Sequence, residues 1–586
     1  MNFNIDQLIL AILIAVPILG AVVLALLPRS MARYGVLGIA ALNFIFSLHL
    51  WANWERAASS TGYRFEQTLS WLPSMGLTFH LGVDGISLWL ILLTTFITPL
   101  ALLLGWNEIK NREGAFCINI LLMSSAAIGV FCALDVILFY VFYEAVLIPA
   151  YLLIVGWGGA DRAKAAIKLF LYTMLGSVFM WIALLYIYFQ QAPDVRSFDI
   201  AALATAAQSV DTNTANIALW LFAAFAVAFA IKVPLFPFHT WQPAAYNQSP
   251  TPATILLGAI LSKMGVYGFI RFAIPFFPNA AVKAAPVLMT LAVISIIYGA
   301  IVAIRQTEIK RVFAYSSISH LGIVVLGVFA AILAPEYGEV AMSGAVIQMV
   351  AHGISTAALF GVAAVLLDRR QDLHLDQFGG IAAVMPRFTV LFWAALFASI
   401  GLPGLCNFVG EYLILQGTMA VNFGFAALAA TGVIWGAVYM LRLFRTVMYG
   451  EVVFEEHRRW ADAGKRETAA LAVLLAVAVW IGVAPQTILD KINPDAQRVS
   501  AITQPGEESI DAALPTEAPI ESGEESVTPV PEEQPASSLP AEGLAAPAPT
   551  PEALPIPGAG GEPVAPAASP EVPVQPDPAS AAPTQP

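Results

Sequence analysis

Residues 228–272 read AFAIKVPLFPFHTWQPAAYNQSPTPATILLGAILSKMGVYGFIRF. Two apolar runs flank a loop of proline and hydroxyl residues, and each run carries one lysine, Lys232 or Lys263. A helical run of about 20 apolar residues matches the ~30 Å hydrocarbon core of a bilayer. A lysine within such a run is costly in lipid, so it is expected to face a bundle interior or a wet cavity. Pro234 removes the helical hydrogen bond to the carbonyl of Ala230, and Pro237 the one to Val233, so the first run is expected to break beside Lys232. Irregular backbone at membrane depth is tolerated only inside protein or along a cavity.

The pattern extends over most of the 586 residues, of which 58% are hydrophobic and 12% charged. A soluble domain carries about a quarter of its residues as charges, so a soluble globular enzyme is excluded. Fourteen stretches can span a bilayer, at 5–27, 34–54, 83–105, 115–133, 135–156, 167–190, 215–238, 252–273, 286–304, 312–333, 341–366, 388–417, 420–447 and 468–488. The expected fold is therefore an all-α polytopic membrane protein. Bases alternate with these spans: 19 fall on one side, from Arg29 and Arg33 to the group Arg442–Arg466, and 7 on the other. By the positive-inside rule the richer side is cytoplasmic and both termini face outward.

Residues 1–490 form the expected membrane domain and 491–586 a tail. From 493 onward there are 15 acids, one base (Arg498), 21 of the 39 prolines and no Phe, Trp or Tyr. Such a composition cannot bury enough surface to offset chain entropy, so disorder is expected there. Cys117, Cys132 and Cys406 all lie in apolar stretches without pairing or CxxC spacing, which argues against a disulfide framework, a zinc site or an iron–sulfur cluster. Residues 1–27 lack a basic n-region and read as a span rather than a cleavable leader.

Six ionisable residues fall inside spans: Glu144, Lys232, Lys263, His320, His352 and Glu411. Each has a plainer reading. A lysine near a helix end can snorkel to the interface, a buried glutamate can hydrogen-bond a neighbouring helix, and a neutral histidine can bond a backbone carbonyl. Taken together, acids, lysines and histidines on adjacent helices can exchange protons with one another and with water. Gly401, Pro403 and Gly404 are expected to unwind the twelfth span before Glu411, as the prolines do the seventh at Lys232. Spans 4–8 and 9–13 then read as two inverted five-helix repeats, each with a broken fourth helix (spans 7 and 12), an arrangement used by many ion transporters.

The stretches FYEAVLIPAYLLIVGWGG, EIKRVFAYSSISHLG and GLPGLCNFVGEYLIL, together with 232–272, resemble the antiporter-like subunit M (chain 4) family of the proton-translocating NADH:quinone oxidoreductase, respiratory complex I. The resemblance covers residues 1–490, and a glutamate rather than a lysine at 411 points to this subunit within the wider family. It implies that Glu144 and Lys232 form a coupling pair, Lys263 a central relay, His320 and His352 links along the axis, and Glu411 the terminal site. It implies no cofactor on this chain, with NADH, flavin, iron–sulfur clusters and quinone belonging to partner subunits. Its expected partners are other membrane subunits, sister antiporter-like chains above all, in a bacterial inner (cell) membrane with the termini and tail periplasmic. The sequence departs from the family at Ala244 and Gln248, where acids are common, so the loop 239–251 is uncharged. Two other functions remain open: a subunit of a multisubunit cation/proton antiporter, and a scaffold whose buried charges only fix helix packing.

Overall fold

The computed structural model describes residues 5–26, 28, 31–57, 61–334 and 336–503. Arg29 and the tail from residue 504 onward lie outside these.

Among the described residues, thirteen helices are long and apolar enough to cross a membrane, and they coincide with all the expected stretches except the twelfth. The twelfth is two shorter helices, Pro386–Ser399 and Cys406–Val421. Between them Gly401 and Gly404 have φ of +75° and +87°, values costly for any residue with a Cβ. At Gly401 a Cβ would also stand 3.0 Å from Glu411 Oε2. The seventh span breaks as its prolines require: the helix Ala215–Lys232 ends at the lysine, and a second helix, Trp241–Gln248, follows a turn. The N–H of Leu235 takes the Ala230 carbonyl at 2.9 Å, the bond Pro234 cannot make.

Burial grades the bundle. The helices Thr251–Phe276, Ile309–Ala331 and Gly338–Arg370 are 94–100% buried over their apolar windows, whereas Ala32–Ala52, Phe423–Met448 and Lys465–Val483 are only 28–33% buried. The first three therefore form the core and the others its periphery. Thr251–Phe276 is irregular, with π-helical turns at Leu257–Leu261 and Phe269–Ala273 on either side of Ser262–Gly268.

Three extramembrane elements depart from the purely helical expectation or from its boundaries. Strands β1 (Arg64–Leu72) and β2 (Leu77–Val83) form an antiparallel hairpin between the second and third spans. A 14-residue helix, Ile200–Asn213, precedes the seventh span. The domain boundary expected at 490 falls inside a third element, the helix Gln486–Ala501. Charge and proline dominate this segment, but it also carries an apolar stripe: Ile488, Ile492, Ala496 and Val499 recur at helical spacing and are all buried. Asp495 and Arg498, counted with the tail, belong to this fold. Asp495 Oδ2 accepts the N–H of Gly85 at 2.6 Å and pairs with Arg498. Gly85 is required at this contact, since a Cβ would meet the Lys491 carbonyl at 1.6 Å. Asp84 and Asp135 act at helix ends, as acids at boundaries should: Asp84 forms a capping box with Ser87, and Asp135 accepts from the N–H groups of Ile137 and Leu138. Asp84 also pairs with Arg271, which is buried rather than on an exposed face.

Two truncations are expected to behave differently. Ending the chain after Thr503 should leave assembly and yield unchanged. Ending it after Asp490 removes the Ile492 and Val499 side chains, about 1.5–3 kcal/mol of burial each, and strips the Gly85 amide of its acceptor. The second truncation should lower the yield and melting temperature of the detergent-solubilised protein, and equal values for both would refute the docked-helix account.

Candidate functional site

The core helices, with the second half of the broken twelfth span, bring four of the six expected residues into one line. Lys263 lies just past the first π turn, fully buried, and its ammonium nitrogen donates to the Gly258 carbonyl at 2.7 Å. A π turn widens the helix by one residue and changes which carbonyls the local backbone uses, a common device at functional positions. Lys263 Nζ is also 2.7 Å from His352 Nδ1 on Gly338–Arg370. The contact needs one proton between the nitrogens, brought either by the lysine donating to an unprotonated Nδ1 or by a protonated Nδ1 donating to a neutral amine. His352 Nε2 lies 3.2 Å from Thr356 Oγ1, and the His352 and His320 rings are 5.8 Å apart between centroids. His320 Nδ1 meets Glu411 Oε1 at 2.9 Å, and Gln348 Nε2 donates to the same oxygen at 3.2 Å. The contact is made either by His320 Nδ1–H donating to the carboxylate or by a protonated carboxyl donating to Nδ1.

Gln348 was not singled out from the sequence, yet it precedes His352 by four residues, the spacing that puts both on one helix face. That spacing is the signal by which it could have been found. Gly410, on the Glu411 helix, packs so closely on Gln348 that a Cβ would lie 2.5 Å from its Oε1.

Glu144 and Lys232 are placed differently from the other four. No ion pair within 4.0 Å joins them among the described residues; Lys232 instead donates to the Tyr143 carbonyl at 3.0 Å, with its nitrogen 3.8 Å from the Tyr143 ring centroid. Lys232 and Tyr143 are each 1% exposed, whereas Glu144 is half-buried on a helix face that also exposes Val141 and Ile148. Consecutive helical residues point about 100° apart, so Tyr143 reaches the interior while Glu144 points to one side of it, with its Oε1 buried and without a hydrogen-bond partner among the described residues. Glu144 and Lys232 thus interact through space and through the peptide of Tyr143, not as a contact pair. The segment Ser262–Gly268 packs on the helix that ends at Lys232, bringing the two lysine-bearing elements together.

The polar groups outside the spans are tuned by their neighbours. Burial pulls the His80 imidazole down, but hydrogen bonds to Asp199 and Glu66 override it and hold its pKa at about 9, so it pins the hairpin to the Ile200–Asn213 helix as a cation. Burial raises the Glu108 carboxyl, against the pull of Lys310. Among the described residues no group of three or more His, Cys, Asp or Glu could hold a metal ion, and the three cysteines are buried and free.

Comparison with known proteins gives consistent results. Residues 133–435 match the family described as NADH:quinone oxidoreductase/Mrp antiporter, TM. The chain is 39% identical over 451 residues to NADH-quinone oxidoreductase subunit M of Rickettsia prowazekii (strain Madrid E), covering 77% of this chain and 89% of that one. It is 38% identical over 508 residues to NADH-ubiquinone oxidoreductase chain 4 of Arabidopsis thaliana, covering 86% and 98%. Among solved structures it superposes on a chain of respiratory complex I from Thermus thermophilus with bound NADH, with a TM-score of 0.74, 30% identity, and coverage of 84% of this chain and 100% of that one.

Proposed function

This chain belongs to the NADH:quinone oxidoreductase/Mrp antiporter membrane family and is a proton-translocating membrane subunit of an NADH:quinone oxidoreductase, and we propose that protons cross it through the Lys263–His352–His320–Glu411 line. One observation carries that proposal: two direct contacts of 2.7 and 2.9 Å, joined by neighbouring imidazole rings, link Lys263, His352 and His320 on the three most buried helices to the buried Glu411 of the broken twelfth span, where ionisable groups are hard to keep. Each member can take up a proton and release it, which a purely structural hydrogen bond does not require. In this reading Lys232 sets whether Lys263 holds its proton, Glu144 biases Lys232 from the flank, and Glu411 exchanges with the far side. Quinone reduction, and the NADH, flavin and iron–sulfur chemistry feeding it, belong to partner subunits, with sister antiporter-like chains as neighbours. Spans 4–8 and 9–13 act as two inverted repeats around the line. The base-rich side faces the cytoplasm of a bacterial cell, and both termini face outward.

A cation/proton antiporter is the competing reading. A hard cation needs several oxygen ligands. Three of the four groups in the line, Lys263, His320 and His352, offer nitrogen instead, which favours the proton. The test is NADH-driven acidification of inverted membrane vesicles from cells lacking the chain and from complemented cells, with and without sodium. Pumping should require the chain and ignore sodium. A sodium requirement, or pumping that persists without the chain, would overturn the reading.

A further inference from the structure

A proton relay that starts at Lys263 in mid-membrane needs a supply from the base-rich side, and the loop 239–251 has no carboxylate to provide it. Its Gln248 is already engaged, with Oε1 accepting the Asp161 N–H at 3.0 Å. The structure brings a carboxylate from elsewhere. Glu108, between the third and fourth spans, accepts the N–H of Thr251 on Oε2 at 2.9 Å, at the start of the helix that carries Lys263. Close by, Lys310 donates to the Ser249 carbonyl at 2.9 Å.

From this point hydroxyl groups lead inward. Ser249 Oγ and Thr254 Oγ1 are 2.6 Å apart, and Thr254 Oγ1 also lies 3.4 Å from the Tyr246 carbonyl. The Tyr246 hydroxyl donates to the Leu257 carbonyl at 3.1 Å and stands among the side chains of Gln242, Ser262 and Ser317, and Gln242 Nε2 donates to Ser317 Oγ at 3.2 Å. Ser262 Oγ and Lys263 Nζ both donate to the Gly258 carbonyl, at 3.3 and 2.7 Å. Ser249, Thr254, Tyr246 and Ser262 are each at most 1% exposed. Along the same route Thr251 Oγ1 and Gln242 Oε1 are buried with no hydrogen-bond partner among the described residues, the setting in which an interior water is stabilised.

We propose that Glu108 loads protons from the base-rich side onto this ladder of hydroxyls, and that interior waters bridging its gaps, from Glu108 to Ser249, from Thr254 to the Tyr246 hydroxyl and from Ser262 to Lys263, carry them to Lys263. The proposal rests on the relay reading given above. Each hydroxyl both donates and accepts, so it can receive a proton on its oxygen while passing its own onward. The step balances as one proton moved: water gives it to the Glu108 carboxylate, the ladder hands on one proton at each oxygen, neutral Lys263 becomes an ammonium, and nothing is oxidised or reduced. Glu108 suits the loading position because it is half-buried, meets the Thr251 N–H beside the first hydroxyls, and is held by burial above the usual carboxylate range.

The test uses vesicles containing the whole complex. Glu108→Gln and Tyr246→Phe should each slow NADH-driven pumping by about tenfold per assembled complex. Glu108→Asp should restore most of it, and Tyr246→Phe, which keeps the ring against Phe360, should enlarge the solvent deuterium isotope effect on pumping. Wild-type pumping in both Glu108→Gln and Tyr246→Phe, with Lys263→Ala inactive, would overturn the ladder and leave the relay standing. Equal loss in Glu108→Asp and Glu108→Gln, with an unchanged isotope effect, would reduce both residues to packing. Normal pumping in Lys263→Ala would remove the relay itself.

Discussion

Lys263→Arg is expected to abolish proton pumping in a complex that still assembles, and to do so as completely as Lys263→Ala. Lys263 has zero exposure and its Nζ lies 2.7 Å from His352 Nδ1. A relay site must lose its proton as well as hold it. An ammonium can be deprotonated when its surroundings disfavour charge, whereas a guanidinium keeps its proton under any condition a protein tolerates. Arginine therefore preserves the buried positive charge and removes the proton step, while alanine removes both. If the charge only fixed helix packing, Lys263→Arg would retain pumping and Lys263→Ala would fail to assemble. NADH oxidation and membrane-potential formation in vesicles, normalised to assembled complex, separate the two cases. Pumping in Lys263→Arg near the wild-type rate would sink the relay.

The second large effect is expected at the flank. Glu144→Gln keeps size and most hydrogen bonding but deletes a charge that acts on Lys232, so pumping and the electron transfer coupled to it should fall by about tenfold or more. Lys232→Ala should cost about the same, because the relay loses the group that Glu144 addresses. Combining the two should add little to either, since residues that work as one unit are not additive. The geometry makes this a demanding test. Lys232 is bonded to the Tyr143 carbonyl rather than to the glutamate, so the coupling must run through space or through a rearrangement that closes the pair. If the two losses simply multiplied in the double variant, Glu144 and Lys232 would be acting independently. Normal pumping in Glu144→Gln would leave Glu144 as a flank residue with no part in transport.

Much of the fold could be read from the chain because the bilayer allows so few solutions. An apolar run of sufficient length has to be helical to satisfy its own backbone, and prolines or glycines at fixed places have to interrupt it. The breaks after Lys232 and before Cys406 follow from Pro234, Gly401 and Gly404 on that ground. The hairpin, the helix Ile200–Asn213 and the helix Gln486–Ala501 were missed because they lie outside the apolar core, where that constraint is absent and short amphipathic patterns compete with loop chemistry.

The six ionisable residues were legible for the same reason, since a charge in an apolar run stands out whatever the fold. Their partners were not. Lys263 and His352 are 89 positions apart, His320 and Glu411 91, and Glu108 and Thr251 143. Nothing local links such positions. The sequence by itself determined a helical membrane chain, two broken helices and a set of buried proton-binding groups, because backbone satisfaction and the cost of burying charge act residue by residue. The tertiary structure decided that Lys263, His352, His320 and Glu411 form one line, that Glu144 makes no contact pair with Lys232, and that Glu108 meets Thr251 at the start of the helix that carries Lys263. Those outcomes depend on which helix faces meet, and helix faces are set by long-range packing.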